Sequence, residues 1–307
     1  MVETGEINNQ KAGINPLVTV GIPTYNRPEG LRRTLECITG QTYRNLEIII
    51  SDNCSPNPDA EIVGRKFVAK DPRVQYFRQK ENTGGYNFQF LIEKATGEYF
   101  MWAADDDEWL PEFIEVNVRN IGDAGSSMTD YIERNRILKR DKYIQLPQLC
   151  GVKKNKDARI FLRNLCSPMV YGLHKKKTIL WVINTNFFDF WDCYFSFRQI
   201  VDYGYNVYPG YLYISGIDTA DYVYKPCHPD KKRLFQYFPF FKHCFVHLVE
   251  CHTISRFQKI VILCELISIT FSLFSSYERK SQPIKFFFIK FVCIAYSIIR
   301  RIIHKVC

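Results

Sequence analysis

Three consecutive carboxylates, Asp105–Asp107, follow the apolar run Tyr99–Trp102. The run predicts a buried strand, and the acidic residues after it predict the start of a helix. Neighbouring negative charges repel one another, and a cation placed among them removes that repulsion. Mg²⁺ and Mn²⁺ take oxygen ligands and often complete their coordination with substrate phosphates. The segment therefore predicts a divalent metal site for a diphosphate. The alternative is a helix N-terminus that carries acids because the helix dipole favours them.

The residues before this cluster alternate between strand and helix patterns. Runs of β-branched residues that end in polar clusters predict strands, and apolar residues at helical spacing predict helices. The predicted strands begin at about 17, 45, 74 and 99, and the predicted helices cover about 29–38, 59–69 and 85–95. This alternation predicts a mostly parallel sheet, whose ligands bind outside the carboxyl ends of its strands. Three polar strand ends, Thr24–Asn26, Asp52–Asn53 and Asp105–Asp107, should therefore converge.

Four sequence blocks, in their order and spacing, resemble the family 2 inverting glycosyltransferases of GT-A fold. The blocks are Val20–Arg27 (Val-Gly-Ile-Pro-Thr-Tyr-Asn-Arg), Ile50–Ser55 (Ile-Ser-Asp-Asn-Cys-Ser), Asn82–Asn87 (Asn-Thr-Gly-Gly-Tyr-Asn) and Thr96–Tyr99, which runs into Asp105–Asp107. The resemblance is specific over residues 16–111 and continues, more weakly, to about residue 215. It implies an α/β fold with a mostly parallel nucleotide-binding sheet flanked by helices, followed here by an apolar, basic helical extension.

The resemblance also implies roles for individual residues. The nucleotide-binding residues that it implies are Pro23, Thr24, Tyr25, Asn26, Asp52, Asn53, Asn82, Asp105 and Asp106. Asp105 and Asp107 take the parts of the family's Asp-x-Asp metal motif, which holds Mg²⁺ or Mn²⁺. Family members often carry an aspartate where this chain has Ala104, so the motif leaves open which two of the three carboxylates contact the ion. Asn53 likewise replaces the second of two acids that usually follow the second strand.

An inverting transfer needs a general base that accepts the proton of the acceptor hydroxyl. In the family an acid precedes a helix, and a Gly-Tyr pair follows about twelve residues later. Asp192 lies at that distance from Gly204 and is the predicted base, with Asp189 as the reserve. The alternative is that Asp192 only caps a helix, a role that aspartate commonly fills. Trp191 stands where the family usually carries a glutamate.

Composition indicates a globular chain with an uneven distribution of charge. Of 307 residues, 46% are hydrophobic and 15% are aromatic. The eleven cysteines are scattered without a Cys-x-x-Cys pair, which favours free thiols in a reducing compartment. Residues 225–307 contain 14 Lys or Arg and 4 Asp or Glu, a net charge of +10, whereas the whole chain carries +9. Residues 1–224 therefore sum to −1, and the excess positive charge lies in the last part of the chain.

This basic part contains two apolar stretches of helical length, Phe257–Phe274 and Phe286–Ile303, each interrupted by charge. Their uninterrupted apolar segments are shorter than a membrane-spanning helix requires. The pattern favours helices that lie on an anionic membrane surface, and the alternatives are a bundle that packs on the catalytic domain and, less favoured, a spanning helix. Nucleic-acid binding is not favoured, because the basic residues alternate with long Phe and Ile runs instead of exposed polar residues. His243, His247 and Cys251 share a helical face as zinc ligands can, but no fourth ligand is evident.

The predicted organisation has three parts. Residues 1–15 form a flexible polar tail without a signal peptide, residues 16–224 form the GT-A domain, and residues 225–307 form a basic helical region that associates with the membrane. Within the domain, 16–111 are the nucleotide-sugar half and 112–224 the acceptor half, in which Met169–Lys175 predicts a further strand.

The predicted function is inverting, metal-assisted transfer of a sugar from a UDP-, GDP- or dTDP-sugar to a glycan or lipid-linked acceptor. The expected context is surface polysaccharide or glycolipid synthesis by a cytoplasmic protein, peripheral on the inner face of the plasma membrane. Two alternatives remain. A sugar nucleotidyltransferase usually opens with a glycine-rich, basic phosphate loop, where this chain has Pro-Thr-Tyr-Asn-Arg-Pro. A non-catalytic GT-A-fold binding protein would not need the intact run of acids at Asp105–Asp107.

Overall fold

A mixed sheet of nine strands organises the described residues, 15–218 and 237–278, in the computed structural model. The strand order is β3-β2-β1-β4-β8-β6-β9-β5, and β7 pairs with β6 outside this path. The strands are β1 Val18–Thr24, β2 Leu46–Asp52, β3 Val74–Arg78, β4 Tyr99–Trp102, β5 Glu108–Trp109, β6 Ser126–Asn135, β7 Arg140–Ile144, β8 Leu173–Lys175 and β9 Tyr205–Ile217. The first four strands are parallel to one another, as the alternation of strands and helices predicts.

Helices cover the sheet on both faces. They are α1 Pro28–Thr39, α2 Asp59–Lys70, α3 Tyr86–Lys94, α4 Phe113–Asn120, α5 Lys154–Arg163, α6 Lys176–Ile179, α7 Trp191–Tyr203, α8 Tyr237–Glu250 and α9 Arg256–Glu278. Two short 3₁₀ helices cover Ser167–Tyr171 and Leu180–Asn184. Two apolar clusters fill the space between these helices and the sheet. The eight cysteines among the described residues are free thiols.

The connection from β1 to α1 is built by residues with little conformational choice. Asn26 adopts the left-handed conformation at φ 55°, and Pro28 occupies the first turn of the helix, where its missing N–H costs nothing. Gly30 lies against the backbone carbonyl of Asp105, where an added Cβ would stand 1.9 Å from the oxygen. The first turn of α1 is therefore pressed onto the loop after β4.

The structure departs from the predicted elements at two places. No helix starts directly after the acids: Glu108 and Trp109 form strand β5, which pairs with Ile214 and Tyr213 of β9, and α4 begins later. The segment predicted as a strand at Met169–Lys175 is a 3₁₀ helix in its first half and β8 in its second. In both places, pairing with distant strands decides the local structure, and propensity alone does not encode that pairing.

The described part of the C-terminal region packs on the domain. Phe240, Cys244 and Leu248 of α8 are fully buried. Ile262 and Leu263 of α9 are at most 1% exposed. These side chains belong to the same apolar cluster as the strands of the sheet. This observation agrees with the bundle alternative for the part of the region that the structure describes.

An ion pair accompanies this packing. The Glu265 carboxylate of α9 accepts hydrogen bonds from Arg159 Nε at 3.2 Å and Arg163 Nε at 2.6 Å, both on α5. No helix within 15–218 or 237–278 is long and apolar enough to cross a membrane. The second predicted stretch, Phe286–Ile303, lies outside the described residues, as does most of the predicted tail at 1–15.

Candidate active site

The ends of β1, β2 and β4 meet at one edge of the sheet. Thr24 Oγ1 donates a 2.8 Å hydrogen bond to Asp105 Oδ2, and the backbone N–H of Asn53 donates to the Thr24 carbonyl at 2.9 Å. The parallel register places Thr24 directly opposite Asp52. The three polar strand ends therefore converge, as predicted from the order of the elements.

A cavity of about 330 Å³ opens at this edge. It is lined by Pro23, Thr24, Tyr25, Arg27, Asn53, Gly84, Asn87, Phe88, Ala104, Asp105, Asp106 and Tyr171. Six of these residues belong to the predicted nucleotide-binding set. The predicted residues Asn26, Asp52 and Asn82 lie beside the cavity and do not line it.

Asp52 is fully buried and already has partners for both carboxylate oxygens. Oδ1 accepts hydrogen bonds from the Ser55 hydroxyl at 2.6 Å and backbone N–H at 2.8 Å, and Oδ2 accepts from Tyr76 at 2.7 Å and Arg78 at 3.1 Å. Its neighbour Asn53 faces the cavity instead. This arrangement makes Asp52 the support of the loop after β2.

The side chain of Asn53 fastens the loop that forms one wall of the cavity. Its Oδ1 accepts the Thr83 backbone N–H at 2.8 Å, and its Nδ2 donates to Asn82 Oδ1 at 2.9 Å. Asn82 Oδ1 also accepts the Gly84 N–H at 2.9 Å. Gly84 has φ 57°, a conformation that glycine adopts without steric cost. Asn82 therefore shapes the wall through Gly84.

Asp105 and Asp106 share one cationic partner. The Arg27 nitrogen Nη1 donates to Asp105 Oδ1 at 3.1 Å and to Asp106 Oδ2 at 2.7 Å. The Asp105 side chain is 9% exposed and that of Asp106 is 33% exposed. Burial raises the pKa of Asp105, and the positive charge of Arg27 opposes this rise. The positively charged Nη1 group of Arg27 thus lies between one carboxylate oxygen of Asp105 and one of Asp106.

Asp107 points away from the cavity. Its Oδ2 accepts a short hydrogen bond from the Tyr213 hydroxyl, and its Oδ1 accepts the Gly216 backbone N–H at 2.8 Å. Burial, followed by the charge of Asp106, raises the pKa of Asp107 to about 8. Of the three adjacent acids, two therefore face the cavity and the third is bonded to β9.

A second cavity of about 520 Å³ lies on the other side of the same ion pair. Its lining includes Arg27, Asp105 and Asp106 together with residues from the start of α1 and the end of β9. The bridge between Arg27 and the two acids therefore forms part of the wall of both cavities.

Asp192, the predicted base, lies in the first turn of α7 and is half-buried. Its Oδ1 accepts the backbone N–H of Cys193 at 2.8 Å, but the N-cap residue of α7 is Phe190, so Asp192 is not the helix cap of the alternative interpretation. Burial raises the pKa of its carboxyl. Asp189, the reserve, is 2% exposed. Neither residue lines the first cavity.

Tyr171 lies within range of the charges of Asp192 and of the three acids that follow β4. It lines the first cavity, and its pKa is raised by burial and then by the charges of Asp107, Asp106, Asp192 and Asp105. The tyrosine therefore lies close enough to all four carboxylates to sense their charge.

Six lining residues are absent from the predicted set: Arg27, Gly84, Asn87, Phe88, Ala104 and Tyr171. Arg27, Gly84 and Asn87 lie inside the sequence blocks, so a closer examination of those blocks could have included them. Tyr171 is the last residue of a 3₁₀ helix far downstream, and no spacing in the sequence indicates it.

The residues of the zinc hypothesis separate in the structure. His243 stacks on Phe188 with ring centroids 4.2 Å apart. His247 and Cys251 instead meet Asp202, and the candidate ligand atoms of these three residues lie within 4.8 Å of one another. His247 Nε2 lies 2.9 Å from Asp202 Oδ1, and the Cys251 thiol donates to the same oxygen at 3.4 Å. These contacts tie α8 to the end of α7.

Comparison with solved structures identifies the class of fold. S. aureus TarS 1-349 in complex with UDP-GlcNAc superposes with a TM-score of 0.63 at 16% identity, covering 83% of this chain and 72% of that one. The mannosyltransferase PcManGT from Pyrobaculum calidifontis, in complex with GDP-Man and Mn²⁺, gives a TM-score of 0.53 at 14% identity and covers 92% and 81%. At these identities the likeness concerns the fold alone, which is the GT-A fold predicted from the sequence.

The family follows from the sequence comparison. Residues 19–199 match Glycosyl transferase family 2, more than half of the chain, and the protein belongs to that family. A curated relative, the GalNAc(5)-diNAcBac-PP-undecaprenol β-1,3-glucosyltransferase of Campylobacter jejuni, is 33% identical over 97 residues, 31% of each chain. The chain therefore spans about a third of the length of this relative.

The contacts of Asp107 predict the effect of removing one hydroxyl. In Tyr213→Phe, the buried Asp107 oxygen loses its donor, and we expect the free energy of unfolding to fall by about 1–3 kcal/mol. Urea denaturation would measure the change. Tyr143→Phe is the control, because Tyr143 is 62% exposed, and its stability should stay within about 0.5 kcal/mol of wild type. Equal stability of all three proteins would mean that the Tyr213 contact is not made.

Proposed function

We propose that this protein transfers a sugar from a nucleotide-sugar donor to an acceptor hydroxyl, with inversion at the anomeric carbon and with the help of a divalent metal. One observation carries the proposal: two carboxylates at the end of β4 bracket a single cationic nitrogen at the wall of a cavity formed by the β1 loop. This arrangement suits a cation that contacts a diphosphate. Membership of family 2 supports the reaction class.

Asp105 and Asp106 would hold Mg²⁺ or Mn²⁺. They fit such an ion because both are oxygen donors and both already contact one positive charge, at 3.1 and 2.7 Å. The sequence motif predicts Asp105 with Asp107; the contacts favour Asp106 as the partner, because both oxygens of Asp107 are bonded to β9. When bound, the ion would offset the negative charge that develops on the departing diphosphate. The Mn²⁺ in the PcManGT complex supports this choice of metal.

The donor would bind along the ends of β1 and β2. Pro23, Thr24 and Tyr25 line one side of the cavity, and Asn53 and the loop at Asn82 form the other. The Tyr25 side chain is 46% exposed and offers a ring surface for a base. The donor class is a UDP-, GDP- or dTDP-sugar, and the UDP-GlcNAc and GDP-Man complexes of the structural relatives support it.

Asp192 would act as the general base. Its charge acts on Tyr171, which lines the cavity, and its raised pKa makes its carboxylate a stronger base toward the acceptor hydroxyl. In the structure its Oδ1 accepts the Cys193 N–H, and the carboxyl also has a hydrogen bond with Ser167, which the acceptor hydroxyl would have to replace or share. A base on the side of the sugar opposite the diphosphate produces inversion, because the hydroxyl attacks from that side.

The acceptor would be a glycan or a lipid-linked glycan, in surface polysaccharide or glycolipid synthesis. The undecaprenol-linked substrate in the name of the Campylobacter relative supports this class. The protein would then work as a peripheral protein on the inner face of the plasma membrane. Val246 and Val249 of α8 and Phe257 and Ile260 of α9 are exposed apolar residues, with Phe257 at 74%, and would contact an anionic surface together with the basic residues beyond Lys225.

The proposed metal site predicts different effects for substitutions of Asp106 and Asp107. Asp106→Asn should abolish the Mn²⁺ dependence of UDP or GDP binding, because a ligand charge is lost, whereas Asp107→Asn should keep it. Isothermal titration with and without Mn²⁺ measures both affinities. Asp123→Asn, which changes an exposed acid in the turn after α4, serves as the control. The opposite result, with only Asp107→Asn losing the metal effect, would return the site to the pair predicted from the sequence.

The base assignment predicts a loss of turnover without a loss of donor binding. Asp192→Asn should lower kcat by about 10²–10⁴-fold and leave the nucleotide affinity unchanged, since the base acts only on the acceptor proton. Donor consumption and the anomeric configuration of the product, read by NMR, test this. Full activity in Asp192→Asn with loss in Asp189→Asn would transfer the role to Asp189, and a product of retained configuration would reject direct displacement.

The membrane assignment is tested on the exposed face of the C-terminal helices. Phe257→Ser should weaken binding to phosphatidylserine-containing vesicles on the order of tenfold, because one aromatic side chain no longer enters the interface. Ile62→Ser is the matched control, since Ile62 is 61% exposed on α2, remote in sequence from α8 and α9. Vesicle flotation measures the bound fraction. Wild-type protein that does not float with anionic vesicles would contradict the assignment.

A further inference from the structure

The single cation between Asp105 and Asp106 is a side chain of the protein itself. Arg27 Nη1 lies 3.1 Å from Asp105 Oδ1 and 2.7 Å from Asp106 Oδ2. We infer that Arg27 takes the metal position whenever no metal is bound and moves to the donor diphosphate when the metal binds. This inference rests on the proposed function, because it concerns the same metal and the same donor.

The two cations exclude each other. A Mg²⁺ ion lies about 2.1 Å from each of its oxygen ligands. An ion that contacts these two oxygens would therefore lie where Nη1 is, and two positive charges would be in van der Waals contact. The metal can enter only when the guanidinium leaves. Until then, Arg27 relieves the repulsion between the two acids.

The arginine can leave without disturbing the fold. Its side chain is 55% exposed, so little packing opposes a change of rotamer. Its backbone is fixed: the Arg27 carbonyl accepts the Leu31 N–H at 2.9 Å, and the preceding Asn26 N–H donates to Ser55 Oγ at 2.7 Å. Movement is therefore confined to the side chain.

The structure offers the displaced guanidinium a destination. Arg27 lines both cavities, so a change of rotamer keeps it at the wall of the donor cavity. A diphosphate there presents oxygen pairs that match the planar fork of a guanidinium. The donor then supplies Arg27 with a new partner while Arg27 releases the acids to the metal.

This exchange makes metal and donor binding cooperative. Without a diphosphate, the metal must displace Arg27 into solvent, so its affinity is low. With a diphosphate, the displaced arginine gains a partner and the affinity rises. By thermodynamic reciprocity, Mn²⁺ must strengthen nucleotide binding by the same factor. Arg27 is thus a positioning residue that lets the two ligands bind together.

Isothermal titration of wild type and Arg27→Gln tests the inference. Four dissociation constants are measured for each protein: Mn²⁺ with and without UDP, and UDP with and without Mn²⁺, with GDP as a second probe. Arg27→Gln should bind Mn²⁺ alone roughly fivefold more tightly, because the competing cation is gone, and UDP in the presence of Mn²⁺ roughly fivefold more weakly. The coupling factor between the two ligands should fall accordingly.

Arg32→Gln is the matched control, since it removes one positive charge from a solvent-accessible position on α1, the helix that follows Arg27. It should leave all four constants unchanged, and Arg27→Lys should restore part of the coupling. If Arg27→Gln also behaves as wild type while wild type binds Mn²⁺ and nucleotide together, the inference is wrong and the proposed function stands. If wild type binds no nucleotide with or without Mn²⁺, the proposed function fails with it. A loss of Mn²⁺ affinity in Arg27→Gln would overturn the inference as well.

Discussion

Four carboxyl groups are concentrated at one edge of the sheet, and much of the surrounding structure compensates them. Asp52, Asp105, Asp106 and Asp107 all lie at the carboxyl ends of neighbouring strands. Each buried acid has its own source of compensation: Arg78 and two hydroxyls for Asp52, Arg27 for Asp105, and Tyr213 with a backbone N–H for Asp107. Of the two arginines, Arg27 is the more exposed, with 55% of its side chain accessible against 36% for Arg78, and it is the one shared by two acids at the wall of a cavity.

Parallel pairing in the sheet brings these carboxyl groups together. Parallel pairing of β1 with β2 and β4 aligns their carboxyl ends, so polar residues that are 28 and 81 positions apart in sequence become neighbours. Gly30 allows α1 to press on the Asp105 carbonyl, which fixes the loop that carries the acids. The rigid edge then holds side chains whose mutual repulsion would otherwise separate them. The repulsion between these acids lowers the local stability, but the acids stay in fixed positions.

The sequence predicts local elements well and distant pairings poorly. The first four strands, their helices and the convergence of their ends follow from hydrophobic periodicity and the rule for parallel sheets. The orientation of Asp107 could not be predicted, because its partners Tyr213 and Gly216 lie more than a hundred residues away and the motif shows only three adjacent acids. Tyr171 was missed for the same reason. The docking of α8 and α9 was one of two alternatives, since an apolar, basic helix suits a membrane surface and a protein surface equally.

Helix α7 carries Asp192 at its first turn and Asp202 near its last, where it binds His247 of α8. Thirteen residues at about 1.5 Å each make the helix roughly 20 Å long. If α8 rests on a bilayer, as proposed, the length of α7 determines how far the proposed base Asp192 lies above the lipid. The protein would then select acceptors by the distance of their hydroxyl from the membrane. A hydroxyl at the height of Asp192 could react, whereas one close to the lipid headgroup or far along a long glycan could not.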